Sequence, residues 1–211
     1  MNKIIKILFF AIIIKPIVFV VLGLNLRGKN NLPKSGPAIL AANHNSHLDT
    51  MVLMSLYPLS KLHKIRPVAA ADYFYKNRFL RWFSDSCIDI IPLERKGEAK
   101  KEDLFLECHT ALDNGDILII FPKGSRGKPE KMSAIKKGLF YLVKERGDTK
   151  ITPVLMHGLG NTLPKGEALL VPFNCDVIIG DSLSLSDTAT EFVDKMEQAF
   201  QRLQQYCITK N

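Results

Sequence analysis

His44 and Asp49 stand with four residues between them in the stretch Asn43-His-Asn-Ser-His-Leu-Asp49-Thr50. An imidazole titrates near the working pH of a cell, and a carboxylate on one ring nitrogen fixes the tautomer and stabilises the cation formed when the other nitrogen takes a proton. Such a pair is equipped to activate a hydroxyl. With five histidines in the chain the spacing also arises by coincidence. The competing reading makes Asp49 a first-turn helix residue that answers the helix dipole and His44 a polar loop residue.

The flanks decide how the pair could be held. Gly36-Pro-Ala-Ile-Leu-Ala-Ala42 is short and apolar and predicts a buried strand, Asn43 to His47 a polar turn, and Ser46 or His47 the start of a helix. That helix carries Asp49, Met51, Val52, Leu53, Met54 and Leu56 and stops near Pro58. A strand end, a turn and a helix start form a place where α/β proteins expose reactive groups on a rigid frame.

A second constellation follows Asp116-Ile-Leu-Ile-Ile-Phe121, the strongest strand pattern in the chain: Phe121-Pro-Lys-Gly-Ser-Arg-Gly127. Glycines let a backbone approach an anion, and Arg126 could grip phosphate oxygens bidentately, with Gly124 and Ser125 beside it. By itself the segment also reads as a plain glycine-rich surface turn.

The chain has 211 residues and a net charge of +8. One sizeable domain fits that length, and the charge points to an anionic partner such as a phospholipid surface, a phosphorylated substrate or nucleic acid. No nucleic-acid motif supports the last of these. Cys87, Cys108, Cys175 and Cys207 are scattered without metal-ligand spacing. Reduced thiols are expected, and no metal.

Residues 4 to 24 are apolar apart from Lys6 and Lys15, and Pro16 adjoins the second lysine. A cation at mid-bilayer costs on the order of 3 kcal/mol, so two short pieces within one leaflet, or a re-entrant pair, fit better than a clean span. Residues 1–28 are therefore assigned to a membrane-associating segment and 29–211 to the main domain. Lys3, Lys6, Lys15, Arg27 and Lys29 are expected to face anionic headgroups on the cytoplasmic side, which is the inner membrane if the source is bacterial.

Further along, strands are predicted at Ile65–Ala70, Cys87–Leu93, Ile151–Met156, Ala168–Val171 and Asp176–Ile179. Helices are predicted from Tyr73 through Phe83, over 99–113 with a stop at Asn114-Gly115, from Ala134 to Arg146 behind a Ser133 cap, and after Ser186-Asp187. The last carries Phe192, Val193, Met196, Phe200 and Leu203 on one face. The fold expected is α/β: a single domain with a mixed, largely parallel central sheet flanked by helices, preceded by the N-terminal apolar helical segment.

Four blocks in order resemble the lysophosphatidic acid acyltransferase family of glycerolipid acyltransferases. Asn43, His44 and Asp49 match its Asn-His-x-x-x-x-Asp block; Ile90-Ile-Pro-Leu-Glu-Arg95 resembles its apolar strand ending in arginine. Phe121-Pro-Lys-Gly-Ser-Arg126 resembles Phe-Pro-Glu-Gly-Thr/Ser-Arg, and Thr152-Pro-Val154 its Val/Thr-Pro-Val strand. The resemblance implies His44 as general base, Asp49 as its orienting partner, and Arg126 with Arg95 as phosphate binders. It also implies a lysophospholipid or glycerol-phosphate acceptor, acyl-coenzyme A or acyl carrier protein as donor, no acyl-enzyme and no cofactor.

Two positions depart from the family. Lys123 replaces its glutamate, and Val68-Ala-Ala-Ala-Asp72 stands where many relatives read Val-Ala-Lys-Lys-Glu, so Ala70 and Ala71 offer no lysine. Either Lys123 restores the lost cation, joining Gly124, Ser125 and Arg126 around the phosphate, or the acceptor has changed. A lipid-binding relative without the chemistry and a thioesterase are the competing functions.

Overall fold

The computed structural model describes residues 2–46, 48–75, 77–94, 103–124, 134–162 and 174–209. Seven strands form one sheet: β1 Gly23–Arg27, β2 Ala38–Ala42, β3 Ile65–Ala70, β4 Ile91–Leu93, β5 Ile117–Ile120, β6 Lys150–His157 and β7 Asn174–Ile179. Their order is β1-β7-β6-β2-β5-β3-β4. β2, β3, β4, β5 and β6 run parallel, while β7 is antiparallel to β6 and carries β1 parallel to itself. The sheet is mixed and largely parallel, as expected from sequence.

The helices are α1 Asn2–Phe9, α2 Leu48–Ser55, α3 Ala71–Phe74, α4 Arg78–Phe83, α5 Leu106–Asp113, α6 Gly138–Val143, α7 Leu159–Thr162 and α8 Ala189–Gln204. Both faces of the sheet are covered, so the central strands β2 and β5 are apolar on every residue, and β2 is buried throughout. Ala38, Leu40 and Ala42 face one apolar cluster with α2 and the N-terminal helix. Ile39 and Ala41 face the other, with residues of α5, α6 and α8.

The N-terminal segment is one continuous helix rather than two pieces, and Lys3–Val21 is long and apolar enough to cross a membrane. Pro16 does not break it, because the flanking turns are π-helical: Lys15 N–H reaches Phe10 O, and Leu22 N–H reaches Ile17 O. Phe10, Ile14, Val18 and Leu22 are buried against the domain, contributing about 1.5–3 kcal/mol each. Ile4, Leu8, Ile12, Ile13, Phe19 and Val20 point outward and are exposed.

Two of the lysines expected to meet headgroups turn inward instead. Lys6, 2% exposed, donates to Ile65 O at 3.0 Å and pairs with Asp89 at 3.6 Å; Lys15 donates to Tyr57 O at 3.0 Å. A buried ammonium is tolerable only with such partners. The strand β1, which begins within the apolar segment at Gly23, already belongs to the domain sheet.

Other boundaries shift for local reasons. The aromatic helix predicted from Tyr73 divides into α3 and α4, because Asn77 takes an extended conformation and caps α4 by accepting from Leu80 N–H at 2.6 Å. The strand predicted at Cys87–Leu93 starts only at Ile91. Ser84–Ile88 is a π turn, and Asp89 leaves it with φ +63°, a strained value compensated by ion pairs to Lys6 and to Arg66 at 3.2 Å. Thr188, rather than Ser186 or Asp187, caps α8 in a reciprocal box with Glu191. The described part of the 99–113 helix is α5 behind a short turn, and the 134–146 helix shortens to α6. Ser133 and the strand expected at Ala168–Val171 lie outside the described residues.

Candidate active site

β2 ends at Ala42, and the polar turn that follows is bolted to β6 by one side chain. Asn43 donates to Met156 O at 2.7 Å and accepts from Met156 N–H at 2.6 Å, satisfying a backbone pair where the ladder ends; Asn45 adds a bond to the same carbonyl at 3.0 Å. Sequence reasoning gave these asparagines no structural role. A polar pair at a strand end was the only available signal.

The turn then folds over Asp49, at the first turn of α2 and fully buried. Its Oδ2 accepts from Asn45 N–H at 2.6 Å, from Ser46 N–H at 2.9 Å, and from His44 Nδ1 at 2.8 Å. Ser46 O in turn accepts from Asp49 N–H at 3.2 Å. A carboxylate in this setting only accepts, so Nδ1 carries the proton and Nε2 presents its lone pair. The two readings of Asp49 are compatible: in the first turn of α2 the carboxylate answers the helix dipole, and it also holds the imidazole and the turn before the helix. Asp49 Oδ1 is buried without a hydrogen-bond partner among the described residues.

The His44 ring, whose side chain is 19% exposed, stacks on Phe121 with centroids 4.1 Å apart and planes at 21°. Phe121 directly follows β5, the neighbour of β2, so the two sequence constellations meet through these rings. Sequence treated Phe121 as strand and motif, not as a wall of the base. Beyond it the chain turns: Gly124 N–H donates to Phe121 O at 2.8 Å, and Gly124 has φ +72°, a conformation that suits glycine. Gly124 thus shapes the turn, its N–H spent within it.

Lys123 is 6% exposed; burial lowers its pKa, opposed in part by the charge of Glu197 on α8. Ser125, Arg126 and Arg95 lie outside the described residues. Ala70 and Ala71 close β3 and open α3 and carry no cation.

Next to Phe121 is a cavity of about 340 Å³ whose walls include Val68, Leu93, Phe105, Ile120 and Leu139. It is predominantly apolar. Cys108 also lines it, and burial pushes that thiol up to about 12, which removes it as a nucleophile. No cluster of metal-ligating side chains occurs among the described residues.

Comparison with known proteins agrees with this layout. A chloroplastic 1-acyl-sn-glycerol-3-phosphate acyltransferase of Arabidopsis thaliana is 30% identical over 158 residues, 74% of this chain and 42% of its own length. The human 1-acyl-sn-glycerol-3-phosphate acyltransferase alpha is 24% identical over 155 residues, 72% of this chain and 52% of its own. The chain thus spans about half the length of the curated relatives it matches. Its fold superposes with TM-score 0.73 on the crystal structure of a 1-acyl-sn-glycerophosphate acyltransferase from Thermotoga maritima, at 19% identity, covering 98% of this chain and 80% of that one. The acyltransferase family model matches residues 23–157, from β1 through the end of β6 and so across His44, Asp49 and Phe121. This chain belongs to the acyltransferase family, alongside the 1-acyl-sn-glycerol-3-phosphate acyltransferases it resembles.

Proposed function

We propose that the protein moves a fatty acyl group from acyl-coenzyme A or acyl carrier protein to the free hydroxyl of a lysophospholipid, 1-acylglycerol-3-phosphate before others, giving phosphatidic acid. The observation that carries this is His44 with Nδ1 held by Asp49 and with no hydrogen bond to Nε2 among the described residues. Nε2 takes the proton of the acceptor hydroxyl as its oxygen attacks the thioester carbonyl carbon. The tetrahedral adduct collapses, the carbon–sulfur bond breaks, and the departing thiolate recovers the proton from His44. Asp49 stabilises the imidazolium between these steps. The reaction needs positioning and a base, with no covalent enzyme intermediate and no cofactor.

Arg126 and Arg95, with Lys123, Gly124 and Ser125, form the proposed phosphate seat, carried over from the motif match and the position of the turn after β5. The apolar cavity beside Phe121 suits part of an acyl chain. The outward apolar face of the N-terminal helix, opposite the face packed on the domain, supports seating in one leaflet of a bilayer; the cytoplasmic side is part of the proposal. There both amphiphilic substrates are concentrated, and the same apolar cluster joins this helix to α2, which bears Asp49. The alternative acceptor, another lysolipid or alcohol, is favoured by the missing cation at Ala70 and Ala71. The buried Asp49 bonded to His44 Nδ1 supports a working base over a non-catalytic relative.

The deciding experiment offers the purified protein labelled acyl-coenzyme A and a panel of lysolipids and identifies the product by mass. Phosphatidic acid formed by the intact protein and absent with His44→Ala is the expected result. Thiol release without any acceptor would make it a thioesterase, and no release under any condition would leave a binding protein.

A further inference from the structure

Three basic and no acidic residues occur between 73 and 83, interleaved with aromatics. Core packing accounts for only part of that set. Phe74 and Phe83 pack against the apolar cluster beneath the N-terminal helix. Phe79 and Trp82, on α4, are 73% and 51% exposed, their rings 6.1 Å apart and tilted by 35°. Two large adjacent aromatic rings left in water on a six-residue helix are an unfavourable surface unless something covers them.

The position of α4 says what covers them. Phe83, one residue beyond Trp82, packs edge-to-face on Phe9 of α1 with centroids 5.4 Å apart. α4 is therefore docked beside the N-terminal helix, where Leu8, adjacent to Phe9 in sequence, and Ile12, three residues beyond it, stand exposed. Arg78 and Arg81 on α4 are also exposed. Arg81 lies over the Tyr75 ring, 4.7 Å from its centroid. Exposed aromatics with guanidiniums around them suit the headgroup level of an anionic leaflet, where a tryptophan keeps its N–H in the wet layer and its ring below it.

We infer that α4 is a second membrane contact, with Phe79 and Trp82 seated in the lipid interface beside the N-terminal helix. This rests on the membrane reading above and adds to it: two elements, rather than one helix about which the docked domain could swing, fix the tilt of the domain against the bilayer. The Phe9–Phe83 contact joins α4, and with it Phe79 and Trp82, to the N-terminal helix; Arg81 is shared with Asp85 at 3.8 Å, so the exposed Arg78 carries the complement to an anionic lipid.

Trp82 is the only tryptophan in the chain, so the intact protein carries its own reporter. The full chain would be reconstituted into vesicles of three parts phosphatidylcholine to one part phosphatidylglycerol and recovered by flotation. Replacing the lipids with brominated phospholipids is expected to lower Trp82 emission about twofold or more, with little added quenching by aqueous iodide. Phe79→Ser, which alters an exposed side chain and keeps the reporter, should move quenching from the lipid toward iodide. Protein that floats while its emission ignores brominated lipid overturns the inference and leaves the N-terminal helix as sole anchor. Shielding from both quenchers also overturns it, because a second protein surface then covers α4. Failure to float removes the membrane reading itself and this inference with it.

Discussion

The imidazole of His44 lies against the ring of Phe121, 4.1 Å between centroids, so the proposed general base at the end of β2 is braced by the first residue after β5. Asp49 grips one edge of the ring and Phe121 covers one face. Together they leave Nε2 little freedom to wander from the bond it must serve.

Removing either half of the dyad should remove most of the rate. His44→Ala is expected to lower kcat by about 10²–10⁴-fold, with the acceptor KM changed far less. Asp49→Asn can keep its oxygen on the three donors that meet at Oδ2, yet it loses the charge that stabilises the imidazolium and sets an NH2 group at the buried, unpartnered Oδ1 position. A comparable loss in kcat, with the thermal midpoint recorded alongside, is the expected outcome; full activity in His44→Ala would end the proposed mechanism.

Phe121→Ala should separate positioning from chemistry. It leaves the Asp49 contact in place but removes the ring under His44 and one wall of the apolar cavity. We expect kcat to fall about tenfold, equivalent to roughly 1.4 kcal/mol of transition-state stabilisation. Phe121→Tyr, which retains a ring, should recover most of the rate. Equal loss in both variants would show that shape, not stacking, is what matters.

Lys123 supplies the test of the acceptor. If it restores a cation to the phosphate seat, Lys123→Ala and Lys123→Glu should raise the KM for lysophosphatidic acid, by about tenfold for the alanine and more for the glutamate. Steady-state rates across a lysolipid series read this directly. Unchanged KM in both would assign Lys123 to packing beside Glu197 and shift attention to an acceptor without phosphate.

Lys6 gives a stability prediction with a definite sign. Burial, only partly answered by Asp89, lowers its pKa from 10.5 to about 8. Between those values the unfolded chain binds more protons than the folded one, so stability from this group rises with pH across the window. The cost of holding the ammonium buried is complete below about 8, on the order of 3 kcal/mol, and gone above 10.5. Relative to Lys6→Met, the wild-type thermal midpoint should therefore climb as pH is raised from 7 to 10. A difference between the two that stays flat across this range would contradict the burial of the charge.

The dyad, the strand before it and the helix after it were legible in sequence because each rests on local chemistry: apolar run, polar turn, acidic first turn, proline stop. The strong pattern of Ile117–Ile120 and the stripe of α8 were legible for the same reason. Local rules failed where distant partners set the conformation. Asp89 delays the start of a predicted strand to Ile91, its carboxylate held by Lys6 and Arg66. Lys15 and Pro16, which argued for a broken apolar segment, sit in one continuous helix because Tyr57 O receives the ammonium and π turns accommodate the ring.

By itself, then, the sequence determined which groups can do chemistry and the order in which they arise along the chain. Only the tertiary structure decided that β2 and β5 are neighbours, which puts Phe121 on His44, and which face of the N-terminal helix turns away from the domain. The reason is that over residues 7–14 and 17–22 this helix is apolar on every side and carries no periodic signal for its buried face, while Lys6 and Lys15 turn inward against the usual rule. That face is chosen by the surface it meets, and here Phe10, Ile14, Val18 and Leu22 meet the sheet's apolar side.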